Sequence, residues 1–481
     1  MSNVFARKPD LEFNNINRTD GYKLSHFILY PKKMNKMFSY LESRGGEFNT
    51  CTLFGLQVLI HRYLSKPFSQ EQIDNMAVFA DKYGEPFNRS GFEYILQKYN
   101  GHLPVRIRAI PEGLIVPTGN AIVTVESMDD SMTAWMVNYI ETQLRVWGPS
   151  TVATTSREVK KIWKEFLDLS SDNPDAEIGF KHHDFGARGV HAVEQAQLNG
   201  AAHLLSFLGS DTIEGIETAN HYYDCPMSGF SIPATEHSTM TIFGRYGERD
   251  AIKKWITQTL VNRQVPAGVP KLTACVGDSY DIFNFCREVC RKDIRELIEG
   301  SGGTLIIRPD SGDPAMVLNQ IFEIMEHNLP YGAVTVNSKG YKVLPPYLRL
   351  IWGDGINRHS TRTILKYVTD SLWSASNIAF GSGGGLLNDC NRDTQRWAFK
   401  CSYVELDGVP VNVVKDPVTD PGKRSKAGRL DLIRTVDGTY ATIQLGKDDT
   451  AHPESVMNTV FECGEITYHN TLDEIRARMA L

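Results

Sequence analysis

The sequence predicts an α/β protein: a (β/α) barrel-like domain plus a second α+β domain built from both chain ends. Three observations carry this. First, seven short apolar runs end abruptly in polar residues: EIGFKHHDFG (177–186), LLSFLGSDT (204–212), GFSIPATEHS (229–238), LTACVGDSYD (272–281), TLIIRPDSGD (304–313), LRLIWGDG (348–355) and NIAFGSGGG (377–385). Each run has the length of a buried strand. Second, helix-patterned segments lie between them, and alternation of strand with helix implies parallel βαβ units. Seven units within about 210 residues fit a barrel or an open doubly wound sheet. Third, the two flanks lack this alternation. The expected division is 151–394 for the barrel-like domain and 1–150 together with 395–481 for the other.

The elements follow in order. HAVEQAQLNGAAHLLSF after the first run, DIFNFCREVCRKDIRELIEG after the fourth and PAMVLNQIFEIMEH after the fifth each read as a helix. Pro314 suits a first helical turn, where its missing N–H costs nothing. In the N-terminal flank IHRYLSKPF and FEYILQKYN read as helical, and PVRIRAIPEGLIVPTGNAIVTVES as strand-rich. In the C-terminal flank FKCSYVELDGVPVNVVKD reads as a hairpin turning at Asp407-Gly408.

Composition narrows the function classes. The chain has 481 residues, 41% hydrophobic and 22% charged, as in ordinary globular proteins. A net charge of −6 argues against nucleic-acid binding over the whole surface. No apolar run reaches the length of a membrane span, and MSNVFARKPDLEFNN has no signal-type apolar core. Eight scattered cysteines without C-x-x-C suit reduced thiols and a cytoplasmic location. Cys286 and Cys290 fall on a helical pattern and are expected in the core.

Strand ends in a barrel carry function, and the polar residues gather there: His182, His183, Asp184, Asp211, His237, Asp278, Arg308, Asp310 and Asp354. About half of such residues are expected to be turn formers and helix caps. His237 and Arg308 are poor turn formers. Four of the five residues 381–385 are glycine. Neither G-x-G-x-x-G nor a P-loop fits, because Leu386 stands where glycine is needed and no lysine follows. With GDG at 353–355 the loop makes two glycine-rich late barrel loops, a common phosphate cradle. IIRPDSGDP places Arg308, Asp310, Ser311 and Asp313 together, a donor fork beside carboxylates suited to ribose hydroxyls or Mg²⁺. KDPVTDPGKRSKAGR (415–429) carries Lys415, Lys423, Arg424, Lys426 and Arg429, a polyphosphate-like patch or a solvated loop. No H-E-x-x-H, zinc-spaced Cys/His set or G-x-S-x-G occurs. His327 and His469 read as surface residues. The inventory points to phosphorylated-sugar chemistry.

TDGYKLSH (19–26), KHHDFGARGV (181–190), SDT (210–212), SIPATEHSTM (231–240), GDSYDIFN (277–284), LIIRPDSGDP (305–314), GDG (353–355), NIAFGSGGGLL (377–387), CSYV (401–404) and KDPVTDPGKRSKAGRL (415–430) together resemble the nicotinamide phosphoribosyltransferases, type II phosphoribosyltransferases, collinearly from about residue 18 to about 475. The resemblance implies transfer of phosphoribose from 5-phosphoribosyl-1-pyrophosphate to nicotinamide in NAD salvage, with Mg²⁺, coupled ATP hydrolysis and a homodimer with shared sites. It implies that Phe185 and Tyr22, the latter across the dimer, sandwich the nicotinamide ring. Asp211 then accepts from the carboxamide and repels nicotinate. Arg308 lies by the ring and phosphates. Asp310 and Asp278 serve ribose or the Mg²⁺ shell, and Gly353, Asp354, Gly383 and Gly384 the 5′-phosphate. Arg44, His183, Arg188, Arg392, Lys400, Lys415 and Lys423 contact pyrophosphate or ATP, and His237 is the phosphorylated histidine. Neither nucleic acid nor membrane is implied as a partner.

Two positions depart from the family pattern. Ala187 stands where an aromatic is expected, and Thr235 where a small apolar residue is expected. The rival readings are a nicotinate phosphoribosyltransferase, a non-catalytic binding protein on the same scaffold, and a Mg²⁺-dependent sugar-phosphate hydrolase. A carboxylate at Asp211 disfavours the first, the long motifs the last.

Overall fold

The computed structural model describes residues 13–129, 132–420, 423–447 and 449–481. Two compact units emerge, Met1–Thr151 with Asn391–Arg478, and Val152–Cys390 with Met479–Leu481. The boundary falls within the helix Trp147–Ser170.

In the second unit all seven apolar runs become staves of one parallel ring. Five pair as a sheet in the order His182–Asp184, Ile378–Ser382, Leu348–Trp352, Thr304–Arg308, Leu272–Val276. The remaining two close it through single parallel bridges, Asp184 to Ser210, Gly209 to Phe230 and Ala234 to Ala274. The 229–238 stave is short for a chemical reason. Pro233 has no N–H to give, although its carbonyl accepts Ala274 N–H at 2.8 Å. Beyond it, the Thr235 hydroxyl accepts Val276 N–H at 2.9 Å, so a side chain extends the ladder. That buried hydroxyl accounts for the departure at Thr235.

A parallel ring puts every stave's C-terminal end at one mouth. Its apolar core includes the fully buried Trp163, Phe207, Phe285, Trp352 and Phe380. Cys286 and Cys290 lie in this core, and all eight cysteines are free.

Two sequence expectations need correction. The first run is not strand throughout: 174–180 is helical, with Pro174 at the first turn, and the strand begins at His182. DIFNFCREVCRKDIRELIEG is two helices, Ile282–Cys290 and Lys292–Gly300, because Arg291 between them is extended at ψ 143°. The amphipathic period continues across the break, so the pattern concealed it. Pro314–Asn328 is one helix, capped by Asp313, whose carboxylate accepts Met316 N–H at 2.9 Å. Asp313 is thereby a cap rather than a ribose or Mg²⁺ group.

The first unit holds a seven-stranded antiparallel sheet, ordered Val409–Asn412, Trp397–Leu406, Met34–Ser43, Ala121–Ser127, Val105–Ala109, Asn458–Glu462, Glu465–Ile466. Its three central strands come from the N-terminal part of the chain and the two at each edge from the C-terminal part. Its hairpin turns at Asp407 (φ 52°) and Gly408 (φ 76°), two successive left-handed residues as the tight turn requires. Among the described residues no helix is long and apolar enough to cross a membrane.

Candidate active site

The barrel mouth is built around Phe185. Its N–H donates to the Ser382 carbonyl at 2.8 Å, which fixes the backbone just past the first stave. Its ring lies across Gly381, where a Cβ would sit 1.9 Å from Cε2. A Cβ on Gly353 would sit 3.8 Å from the same ring and 2.8 Å from an Asp310 carboxylate oxygen. Two glycines thus floor a half-buried aromatic face. The Arg308 guanidinium lies 6.0 Å from the ring centroid, at the outer limit of a cation–π contact. Its Nη2 donates to Asp310 at 2.9 Å, while its buried Nε lacks a hydrogen-bond partner.

Asp211 enters beside this face because its N–H donates to the Asp184 carbonyl at 2.8 Å. The exposed Asp211 carboxylate is oriented by the Ser231 hydroxyl. His183 donates Nε2–H to the Phe180 carbonyl at 2.9 Å, and its ring covers Gly209. In this rotamer its ring N–H is already engaged. Arg188 and Asp354 are exposed. Asp354's carbonyl accepts Trp352 Nε1–H at 2.8 Å.

A second group links the third, fourth and fifth staves. His237 opens the short helix His237–Thr241, and its Nε2 lies 2.9 Å from Asp278 Oδ1. The other Asp278 oxygen accepts the Ser311 hydroxyl at 2.5 Å. With Nε2–H given to the carboxylate, Nδ1 carries the lone pair, a carboxylate-oriented imidazole of the kind used as nucleophile or base. The His237 side chain is 45% exposed.

The glycine loop divides by cause. Gly381 is demanded by Phe185. Gly383 and Gly384 would meet nothing nearer than 3.9 and 3.8 Å if given a Cβ, and neither has positive φ. Internal packing does not explain their bareness. Their bare backbone is open to close approach by an anion.

Beneath the mouth Asp184 is fully buried and accepts Gly186 N–H at 2.7 Å. Burial pushes its carboxyl up to about 6. The folded state therefore binds this proton more tightly than the unfolded chain, so its contribution is lost as pH rises through about 6. Asp184→Asn is expected to match the parent's Tm near pH 4 and exceed it by a few degrees at pH 8, a divergence that scanning calorimetry across pH would detect.

The first unit carries a separate cationic cluster. Lys400 is held below its ordinary value by burial, opposed by Glu141 and reinforced by Arg44, Lys415 and Arg392. Arg44 Nε donates to Glu42 at 2.7 Å, but its buried Nη2 has no hydrogen-bond partner. Four like charges held together suit a polyanion. The basic loop contributes less than its sequence suggests. Lys426 pairs with Glu42, Arg429 with Glu126, Lys423 with Asp420 and Arg424 with Asp416, which leaves Lys415 as its contribution to the cluster. Tyr22 is exposed on the turn Gly21–Leu24.

Sequence reasoning missed Ser231, Ser311 as a carboxylate partner, and Ser382. Only Ser311 had a local signal, its place in PDSGD.

The nicotinate phosphoribosyltransferase (NAPRTase) family model matches residues 180–465, and the nicotinamide phosphoribosyltransferase N-terminal domain model matches residues 14–107. The chain belongs to the nicotinate phosphoribosyltransferase family. Within this family it is 44% identical over 95% of its length, and 96% of the relative's, to a nicotinamide phosphoribosyltransferase of Xanthomonas campestris pv. campestris. It is 29% identical over 97% of both chains to one of Acinetobacter baylyi. The fold is also that of a nicotinate-nucleotide pyrophosphorylase from Pyrococcus furiosus (TM-score 0.60, 15% identity, 100% of this chain and 97% of the other). Human nicotinic acid phosphoribosyltransferase is a second fold match (TM-score 0.53, 15% identity, 96% and 92%). The protein is a phosphoribosyltransferase with the mixed α/β architecture of that family.

Proposed function

We propose that the chain transfers the 5-phosphoribosyl group from 5-phosphoribosyl-1-pyrophosphate to nicotinamide, giving nicotinamide mononucleotide and pyrophosphate. The observation that carries the choice of nicotinamide over nicotinate is Asp211, a carboxylate fixed by Ser231 next to the Phe185 face. An amide donates to it, whereas a carboxylate substrate would be repelled. The names of the relatives agree with this choice.

The pyridine nitrogen attacks C1 of the ribose, the C1–O bond to pyrophosphate breaks, and the electron pair leaves with the diphosphate. Cationic character grows at C1, where Asp310 is the favourable neighbour. Negative charge grows on the leaving group, which Arg308 and Arg188 stabilise. In the other unit the Lys400, Arg44, Lys415 and Arg392 cluster is suited to a polyphosphate by itself. Gly383 and Gly384, with Gly353 and Asp354, receive the 5′-phosphate. Among the described residues no three His, Cys, Asp or Glu side chains converge as a metal cage. Asp278 or Asp310 would hold Mg²⁺ together with the diphosphate, where it would neutralise leaving-group charge.

His237 Nδ1 is the nucleophile toward ATP. The bond between the γ-phosphorus and its bridging oxygen breaks, an N–P bond forms, ADP leaves, and water later releases phosphate. Asp278 and Ser311 hold the imidazole for this step. The enzyme works as a cytoplasmic homodimer in which the partner's Tyr22 completes the ring sandwich.

Asp211→Asn tests the reading. Its preference for nicotinamide over nicotinic acid, as a ratio of kcat/KM, is expected to fall at least tenfold, mainly through gain of nicotinic acid turnover. An unchanged ratio in side-by-side pyrophosphate-release assays removes Asp211 from the specificity argument.

A further inference from the structure

Behind the glycine loop lies a buried polar chain that the chemistry above does not use. Trp163 Nε1–H points to His182 Nδ1 at 3.5 Å. An indole only donates, so Nδ1 is the acceptor and Nε2 bears the proton. That Nε2 lies 2.7 Å from the Ser382 hydroxyl, which in turn donates to the Ile356 carbonyl at 3.2 Å. The His182 carbonyl accepts His203 Nε2–H at 3.1 Å, and His203 Nδ1 accepts the Ser156 hydroxyl at 2.9 Å. His182, His203 and Ser382 are all buried, and burial holds both imidazoles below their ordinary value, hence neutral.

Ser382 is the junction. It precedes Gly383 and Gly384. Its hydroxyl is bonded to Ile356, which ends the 353–355 loop, and its carbonyl accepts Phe185 N–H at 2.8 Å. The two glycine-rich loops are also in direct register, since a Cβ on Gly385 would lie 3.4 Å from the Ile356 carbonyl. Only one proton is available for the Ser382 hydroxyl to donate. Because His182 Nε2 is itself a donor, it does not compete for that proton, which is directed to the Ile356 carbonyl.

We infer that His182 is a positioning residue for sugar-phosphate binding: acting through the Ser382 hydroxyl, it locks the 353–355 and 383–385 loops into one cradle for the 5′-phosphate. The inference rests on the reading of these loops as the phosphate site. A neutral imidazole orients the hydroxyl without the desolvation cost of a buried cation.

Steady-state kinetics separates the roles. Ser382→Ala and His182→Leu are each expected to raise the KM for 5-phosphoribosyl-1-pyrophosphate about five- to tenfold, the cost of one buried hydrogen bond. The KM for nicotinamide should move less than twofold. The double variant is expected to be no worse than Ser382→Ala alone, since both break one chain. His182→Gln, whose amide can reach the hydroxyl as a donor, is expected to recover at least half of the loss. Should His182→Leu not fold, Ser382→Ala and His182→Gln decide the matter. An unchanged donor KM in Ser382→Ala with only a lower Tm overturns the inference, as does additivity in the double variant. Gly384→Ala is measured alongside. If it raises the donor KM while the His182 and Ser382 variants do not, the relay fails and the phosphate loop stands. If it too leaves the donor KM unchanged, the loop reading fails and the relay falls with it.

Discussion

His237→Ala is expected to abolish stimulation by ATP, bringing the ratio of rates with and without ATP to about one, while slow ATP-independent transfer persists. The argument is geometric. The imidazole sits at the rim with one nitrogen committed to Asp278 at 2.9 Å and the other presenting a lone pair. Removing it deletes the proposed nucleophile but none of the groups around Phe185 or the glycine loop. Labelling with γ-labelled ATP supplies the direct readout: an acid-labile, base-stable phosphoprotein in the parent and none in His237→Ala. Asp278→Asn should retain part of the label, since the amide oxygen can still accept Nε2–H but no longer supports the developing positive charge. Full ATP stimulation in His237→Ala would remove the histidine from the coupling.

The seven barrel staves were legible because each is a short apolar run ended by polar residues, and that contrast survives even where the strand has only one bridging residue. Pattern could not reveal how a stave pairs. The third stave uses the Thr235 hydroxyl where a backbone group would serve, and nothing in periodicity announces such a substitution. The break at Arg291 was invisible for a related reason, since one extended residue between two helices leaves the apolar spacing almost intact. Site residues were legible where their chemistry is unusual for a turn, as with His237 and Arg308. They were misread where a turn former does turn-forming work, as with the cap Asp313. The basic loop looked more cationic in sequence than in space, because Glu42 and Glu126, which neutralise Lys426 and Arg429, lie hundreds of residues away. Most instructive is the glycine run, which sequence presents as one feature. Structure splits it into Gly381, bare for Phe185, and Gly383 and Gly384, which no internal neighbour crowds.

That split makes Gly381→Ala the more damaging of two superficially equal substitutions. A Cβ at 381 falls 1.9, 2.2 and 2.7 Å from three atoms of the Phe185 ring, well inside any tolerable contact. The strand cannot yield, since residue 381 is paired in parallel register with His183 and is flanked by Phe380 and Ser382, which pair with His182 and Asp184. The Phe185 backbone cannot yield either while its N–H is bonded to the Ser382 carbonyl. The ring itself must swing away, and with it goes the face proposed to stack on the nicotinamide ring. Gly381→Ala is therefore expected to lower kcat/KM for nicotinamide at least a hundredfold and Tm by several degrees. Gly383→Ala, whose nearest neighbour would be the Phe185 carbonyl at 3.9 Å, should keep the parent's Tm. A double-mutant cycle isolates the cause. In a Phe185→Ala background the clash no longer exists, so adding Gly381→Ala should cost less than twofold in kcat/KM and almost nothing in Tm. If the two substitutions instead multiply, Gly381 is bare for a reason other than the ring above it, and a bound group rather than Phe185 must be what lies against it.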